Sequence, residues 1–131
     1  MIVVDCSYTL GMFMPDEQRP RSLERALGSR LFVPSIWPFE VANALRNVVR
    51  RGRLPEAEVP GLCARIEDCG VEMAATPEGS VRHRYLAAYQ HDLTAYDAAY
   101  LELALQRRCA LATLDARLAQ VAQRAGIPVL D

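Results

Sequence analysis

Short apolar runs alternate along this chain with segments whose apolar residues recur at helical spacing. That alternation predicts an α/β fold: a parallel sheet with right-handed crossovers and helices on both faces. The apolar runs are continuous rather than every-other-residue, as strands covered on both sides require. Gly or Pro closes several segments and marks their ends. With 131 residues, 51% of them hydrophobic and 24% charged, the chain fits one domain, residues 1–131, large enough to bury its own core.

The first strand is Ile2 to Asp5, an apolar run ending in an acid. Tyr8 to Pro20 reads as a helical or loop segment with a turn at Pro15-Asp16, and Leu23, Ala26 and Leu27 mark a short helix closed by Gly28. Leu31-Phe32-Val33 is the second strand, stopped by Pro34. Ser35 suits the cap of a helix running to about Arg51, with Gly52 as terminator. Its apolar face is Val41, Ala44, Leu45 and Val48, while Glu40, Asn43 and Asn47 form a separate polar stripe. Val59, Leu62, Cys63 and Ile66 give a further helix ending at Gly70. Val71 to Ala74 is the third strand, and Val81, Tyr85 and Ala88 place a helix after it. Thr94 opens the next helix, with Leu101, Ala104 and Leu105 inward. Ala110 to Thr113 is the fourth strand. Asp115 opens the last helix, with Leu118, Val121 and Ala122 inward and Gly126 at its end, and Ile127 to Leu130 is the fifth strand.

In such a sheet each helix runs opposite to its neighbouring strands, so it starts at their carboxyl edge. Asp5 ends strand one and Asp115 follows strand four; Glu40 and Asp97 lie early in helices that start at that edge. Open α/β sheets bind ligands there. Singly, each acid also fits a structural part: Asp5 a turn with Ser7, Asp115 a helix cap, and Thr94-Ala95-Tyr96-Asp97 a capping box. Capping does not explain why all four fall on one edge, and Glu40 sits in an otherwise apolar stretch. Converging carboxylates repel unless a cation lies between them, and all-oxygen ligands favour Mg²⁺ or Mn²⁺ over zinc or copper.

All 15 basic residues are Arg. The missing Lys excludes a Walker A phosphate loop and argues against response-regulator receivers and haloacid-dehalogenase-type phosphatases, which pair an acidic site with a Lys. A formal net charge of -1 gives no global attraction to nucleic acid, so such binding must come from local Arg clusters or bound metal. Arg46, Arg50, Arg51 and Arg53 form one such cluster, read as a solvated face or as a contact for RNA or a protein partner. Tyr8, Phe13 and Trp37 belong to the core or a dimer interface, or offer stacking surfaces for unpaired bases. Cys6, Cys63, Cys69 and Cys109 lack disulfide or zinc spacing, and His83 and His91 lack a partner at metal-ligand spacing. No apolar run reaches the roughly 20 residues needed to span a bilayer, and no leader pattern precedes the first strand, so a cytoplasmic location is expected.

The segments around the acids carry a family resemblance. Val4-Asp5-Cys6-Ser7, Pro38 to Leu45, Tyr96 to Ala104 and Leu111-Ala112-Thr113-Leu114-Asp115 resemble the four signatures of PIN-domain ribonucleases, in particular the VapC toxins of toxin–antitoxin pairs. The likeness covers nearly the whole chain in the family's order and spacing. It implies strand order 3-2-1-4-5, Mg²⁺-dependent RNA cleavage, a VapB-type antitoxin and a homodimer. By position, Asp5, Glu40, Asp97 and Asp115 match the family's acidic quartet, and Ser7 and Thr113 its accompanying hydroxyls.

Asp5 and Asp97 are expected as principal metal ligands. Glu40 and Asp115 would hold metal-bound water or a second ion, with Ser7 and Thr113 bracing the carboxylates. Other readings are a PIN nuclease of RNA maturation or decay without an antitoxin, a phosphatase, and a binding module without catalysis. Asp5-Cys6-Ser7-Tyr8-Thr9 is only a partial match to the phosphatase pattern, since Ser7 stands where it requires a second Asp.

Overall fold

The computed structural model describes residues 1–75 and 79–131. Its elements are β1 (Ile2–Val4), α1 (Cys6–Phe13), α2 (Leu23–Leu27), β2 (Leu31–Val33), α3 (Trp37–Arg50), a 3₁₀ turn (Glu56–Glu58), α4 (Val59–Glu67), β3 (Glu72–Met73), α5 (Val81–His91), α6 (Ala95–Arg107), β4 (Ala110–Ala112), α7 (Ala116–Arg124) and β5 (Val129–Leu130). The strands form one five-stranded sheet in the order β3-β2-β1-β4-β5. Every pairing is parallel, with Ile2 opposite both Leu31 and Ala110. This is the expected architecture and the expected order.

The three central strands are buried along their whole length, which is why they read as unbroken apolar runs. Strand order moves one way from β1 to β3 and the other way from β4 to β5. Right-handed crossovers therefore put the connecting helices on opposite faces. In agreement, α1 packs on α3 and α4, while α6 packs on α5 and α7. The reversal falls between β1 and β4, and at such a switch point the loops leaving the two strands part and open a crevice at the carboxyl edge.

Local departures from the expected pattern have identifiable causes. The first helix begins at Cys6 rather than near Tyr8, because the Asp5 carboxylate caps it. α3 has Ile36 at its N-cap position, one residue past Ser35. Both edge strands are short: β3 keeps only Glu72 and Met73, both exposed, and Pro128 gives β5 a carbonyl but no donor. In α5, Val81 and Tyr85 face solvent and Ala87 is the buried residue. Apolar residues fall on both the exposed and the buried side of that helix, between Arg82, His83, Arg84, Gln90 and His91, so periodicity alone could not choose its face. In α6 Leu105 is exposed, whereas Tyr100, Leu101, Leu103 and Ala104 are buried. No helix among the described residues is long and apolar enough to cross a membrane.

Candidate active site

Asp5 is built into the fold twice. Its backbone N–H donates to Ala112 O at 3.1 Å, continuing the β1–β4 ladder. Its carboxylate then turns to cap α1, accepting from the Tyr8 N–H at 2.7 Å. Ser7 Oγ lies 2.8 and 2.9 Å from the two carboxylate oxygens, and Thr113 Oγ1 donates to Oδ2 at 2.5 Å. Both hydroxyls also accept bonds from the loop after β4: Leu114 N–H to Ser7 Oγ at 2.9 Å and Asp115 N–H to Thr113 Oγ1 at 3.0 Å. Ser7 and Thr113 thus tie the end of β1 to the start of α7. A carboxylate has about four lone-pair sites, so these donors leave roughly one open.

Asp115 caps α7, with the Leu118 N–H donating to Oδ1 at 2.9 Å, and Thr94 caps α6, accepting from the Asp97 N–H at 3.1 Å. The cap expected of Asp115 therefore exists, and Thr94 supplies its half of the expected capping box. They do not exhaust the acids. Asp5, Glu40, Asp97 and Asp115, carried by four separate segments, line one cavity of about 260 Å³ together with Cys6, Ser7, Leu10 and Tyr100. Thr113 lies behind Asp5 and braces it. Among the described residues no basic side chain lines it.

That arrangement is electrostatically uncompensated. Burial pushes the Asp5 carboxyl up to about 6 even though Thr113, Tyr8 N–H and Ser7 all stabilise its charged form, and the Asp97 charge adds to the rise. Glu40 is raised by burial and by Asp97, and Asp97 by burial and by Asp115. The Cys6 thiol is pushed up to about 12 by burial and by the surrounding carboxylates, which makes it inert as a nucleophile.

Two buried polar atoms at this cavity, Glu40 Oε1 and Tyr100 Oη, have no hydrogen-bond partner among the described residues. The hydroxyl is near enough to favour the charged form of Glu40, yet the pair does not meet in hydrogen-bond geometry. Tyr100 is not among the site residues expected from the sequence. Its only signal there is a position three residues after Asp97 on the same helical face.

Oxygen donors without a cation, one of them buried and unsatisfied, fit a hard divalent ion. Among the described residues no three acidic, histidine or cysteine side chains yet stand close enough to share one. An ion here would be held by one or two of the carboxylates directly and by the others through water.

The other expected sites lie elsewhere. Arg53 is committed to Asp16 and Glu17 through contacts of 2.8 and 2.7 Å, so it is not a free phosphate contact. Arg46, Arg50 and Arg51 are exposed and do not line the cavity. Tyr8 and Trp37 are core residues whose polar atoms pair with Ser22 and Thr9; neither offers a stacking surface. Phe13 is partly buried against the core. The exposed aromatics next to the acids are Phe39, beside Glu40, and Tyr96, beside Asp97. All four cysteines are free and partly buried. His83 faces Glu102 outside the acidic cavity.

Comparison with known proteins supplies the family. The PIN domain model matches residues 2–124. A VapC ribonuclease of Pyrobaculum aerophilum is 32% identical over 122 residues, covering 91% of this chain and 92% of the relative. A VapC ribonuclease of Mycobacterium bovis is 36% identical over 123 residues, covering 94% and 92%. A crystal structure of a Pyrobaculum aerophilum protein superposes with a TM-score of 0.74 over 98% of this chain and 89% of that one, at 21% identity, a likeness of fold.

Proposed function

Because this chain belongs to the PIN-domain family, we propose that it is a metal-dependent endoribonuclease, the toxin of a type II toxin–antitoxin pair acting in the cytoplasm. The observation that carries this reading is the cavity at the carboxyl edge, lined by four carboxylates with no cationic side chain beside them among the described residues. The ribonuclease names of its relatives support RNA as substrate. PIN-domain nucleases use a divalent metal, and the all-oxygen donor set favours Mg²⁺, with Mn²⁺ as substitute.

Asp5 and Asp97 are the proposed principal ligands, with Glu40 and Asp115 holding metal-bound water or a second ion. When bound, such an ion polarises a phosphate oxygen and lowers the pKa of its water. The chain's own part is to position and to exclude. Ser7 and Thr113 fix the Asp5 carboxylate, and Asp115 is fixed by its cap on α7. The Glu40 carboxylate, on the cavity wall, is placed to accept a hydrogen bond from an attacking water. Phe39 and Tyr96 offer exposed faces on which unpaired bases stack on either side of the cut. Arg46, Arg50 and Arg51 are the proposed contacts for more distant phosphates or for the antitoxin. Arg50 lies ten residues beyond Glu40, about 15 Å along the helix.

The partner that fits the acidic edge is a VapB-type antitoxin presenting a cationic side chain to the carboxylates. A homodimer belongs to the same reading, supported by the exposed apolar face of α5 formed by Val81, Tyr85, Leu86 and Tyr89. The test is cleavage of single-stranded RNA by the purified protein with Mg²⁺ and with chelator, beside growth after induction without the antitoxin. Mg²⁺-dependent cleavage with growth arrest is expected. Cleavage without arrest assigns the protein to RNA processing or decay, and intact RNA under both conditions removes the nuclease assignment.

A further inference from the structure

Tyr100 is 1% exposed, so its ring is packed on all sides. Packing alone needs only a Phe. A hydroxyl buried without a partner is costly, and buried Tyr hydroxyls usually have one. Here the hydroxyl borders the acidic cavity and is unsatisfied, which points to a role in the cavity rather than in the core.

The charged or ionisable groups that act on this hydroxyl are those of Glu40, Cys6 and Asp5. Asp5 already accepts from Tyr8 N–H, Ser7 and Thr113, and a thiol is a poor acceptor. Asp97, on the same helical face as Tyr100, is drawn towards Thr94. Glu40 Oε1 is the acceptor left without a donor. The two unsatisfied atoms sit on α6 and α3 respectively, and both residues line the one cavity.

We propose that Tyr100 is a positioning residue for Glu40: its hydroxyl donates to the Glu40 carboxylate and holds it against the repulsion of Asp97. The other carboxylate oxygen then remains turned to the cavity, to orient the attacking water. This rests on the nuclease reading for its catalytic consequence, but the pairing itself does not. Neutral and buried, Tyr100 supplies the single donor Glu40 needs without the charge that an Arg or Lys would bring, which would compete with the metal for the acids.

The experiment is a double-mutant cycle of Tyr100→Phe and Glu40→Gln, read by kcat and KM on RNA, beside ¹⁹F spectroscopy of a single fluorotyrosine at position 100. Tyr100→Phe should lower kcat about 10- to 100-fold, the range for a group that orients a ligand, with KM unchanged. The double variant should be no slower than Glu40→Gln alone. The ¹⁹F resonance should shift on Glu40→Gln and stay in place on Glu102→Gln. A parent-like kcat for Tyr100→Phe overturns the proposal, as do additive losses in the cycle. If Tyr100→Phe does not fold, the fluorotyrosine decides: a resonance indifferent to Glu40→Gln overturns the pairing. A protein that cleaves no RNA but keeps the ¹⁹F coupling loses the nuclease reading and retains the pair.

Discussion

The two ends of the sheet use the same kinds of side chain in opposite ways. At the amino edge, Arg30 meets Glu72 through two contacts of 2.9 and 2.8 Å, and Arg30 and Arg107 each lie 5.1 Å from the ring centre of Phe32. There the Arg30 partner holds the Glu72 carboxyl below its ordinary range. At the carboxyl edge the acids are partly buried, lack a cationic partner in the cavity lining, and have Asp5, Glu40 and Asp97 raised above theirs. The amino edge is finished by the chain itself. The carboxyl edge is left uncompensated, and in the proposed reading an external cation completes it.

The largest expected effect is at the carboxyl edge. Asp5→Asn keeps the shape of the residue but removes the charge, and losing several kcal/mol of metal-assisted stabilisation should slow RNA cleavage by roughly 10³-fold. Growth arrest on induction should vanish with it. A soluble Asp5→Asn protein that cleaves RNA like the parent would detach Asp5 from the chemistry.

The pH dependence of the metal-free protein comes next. Folded Asp5 titrates near about 6 against an ordinary value of 3.8, so between those values the folded chain binds more protons than the unfolded one. Its contribution is fully favourable below the ordinary value and is lost as pH rises through the folded one, by at most on the order of 2–3 kcal/mol. Melting in chelator from pH 4.5 to 7 should show the parent losing stability relative to Asp5→Asn over that interval. Parallel curves for the two proteins would mean that Asp5 is not held uncompensated.

Much of this contrast is visible in the amino-acid sequence itself. The central strands are legible because burial on both faces leaves unbroken apolar runs, and Asp5 and Asp115 mark where two of those runs stop. Glu40 stands out because it interrupts an apolar stretch. What the sequence hides depends on contacts between distant parts of the chain. Arg53 finds Asp16 across 37 positions, with nothing local to announce it. The face of α5 is ambiguous because apolar residues fall on both its exposed and its buried sides. Tyr100 looks like any core aromatic until its hydroxyl is found without a partner.

A third, smaller effect concerns the braces. Thr113→Val keeps the volume but strands the Asp115 N–H and withdraws a donor from Asp5. Loss of such a support costs about 10- to 100-fold in metal affinity, to be read by calorimetric titration with Mn²⁺. Unchanged affinity would make Thr113 a structural residue only. The smallest effect belongs to the amino edge: Arg30→Ala breaks an exposed pair and should leave cleavage and metal affinity at parental values. A large loss of activity there would erase the distinction between the two edges.

The most direct measurement is a divalent-cation titration of the melting temperature for the parent and for Asp5→Asn. A ligand that binds only the folded state raises stability by mass action. The parent should start at or below Asp5→Asn in chelator and climb past it as Mg²⁺ or Mn²⁺ is added, while the variant responds weakly. Equal responses of the two proteins, or none from the parent, would contradict a cation site built on the acids of the carboxyl edge.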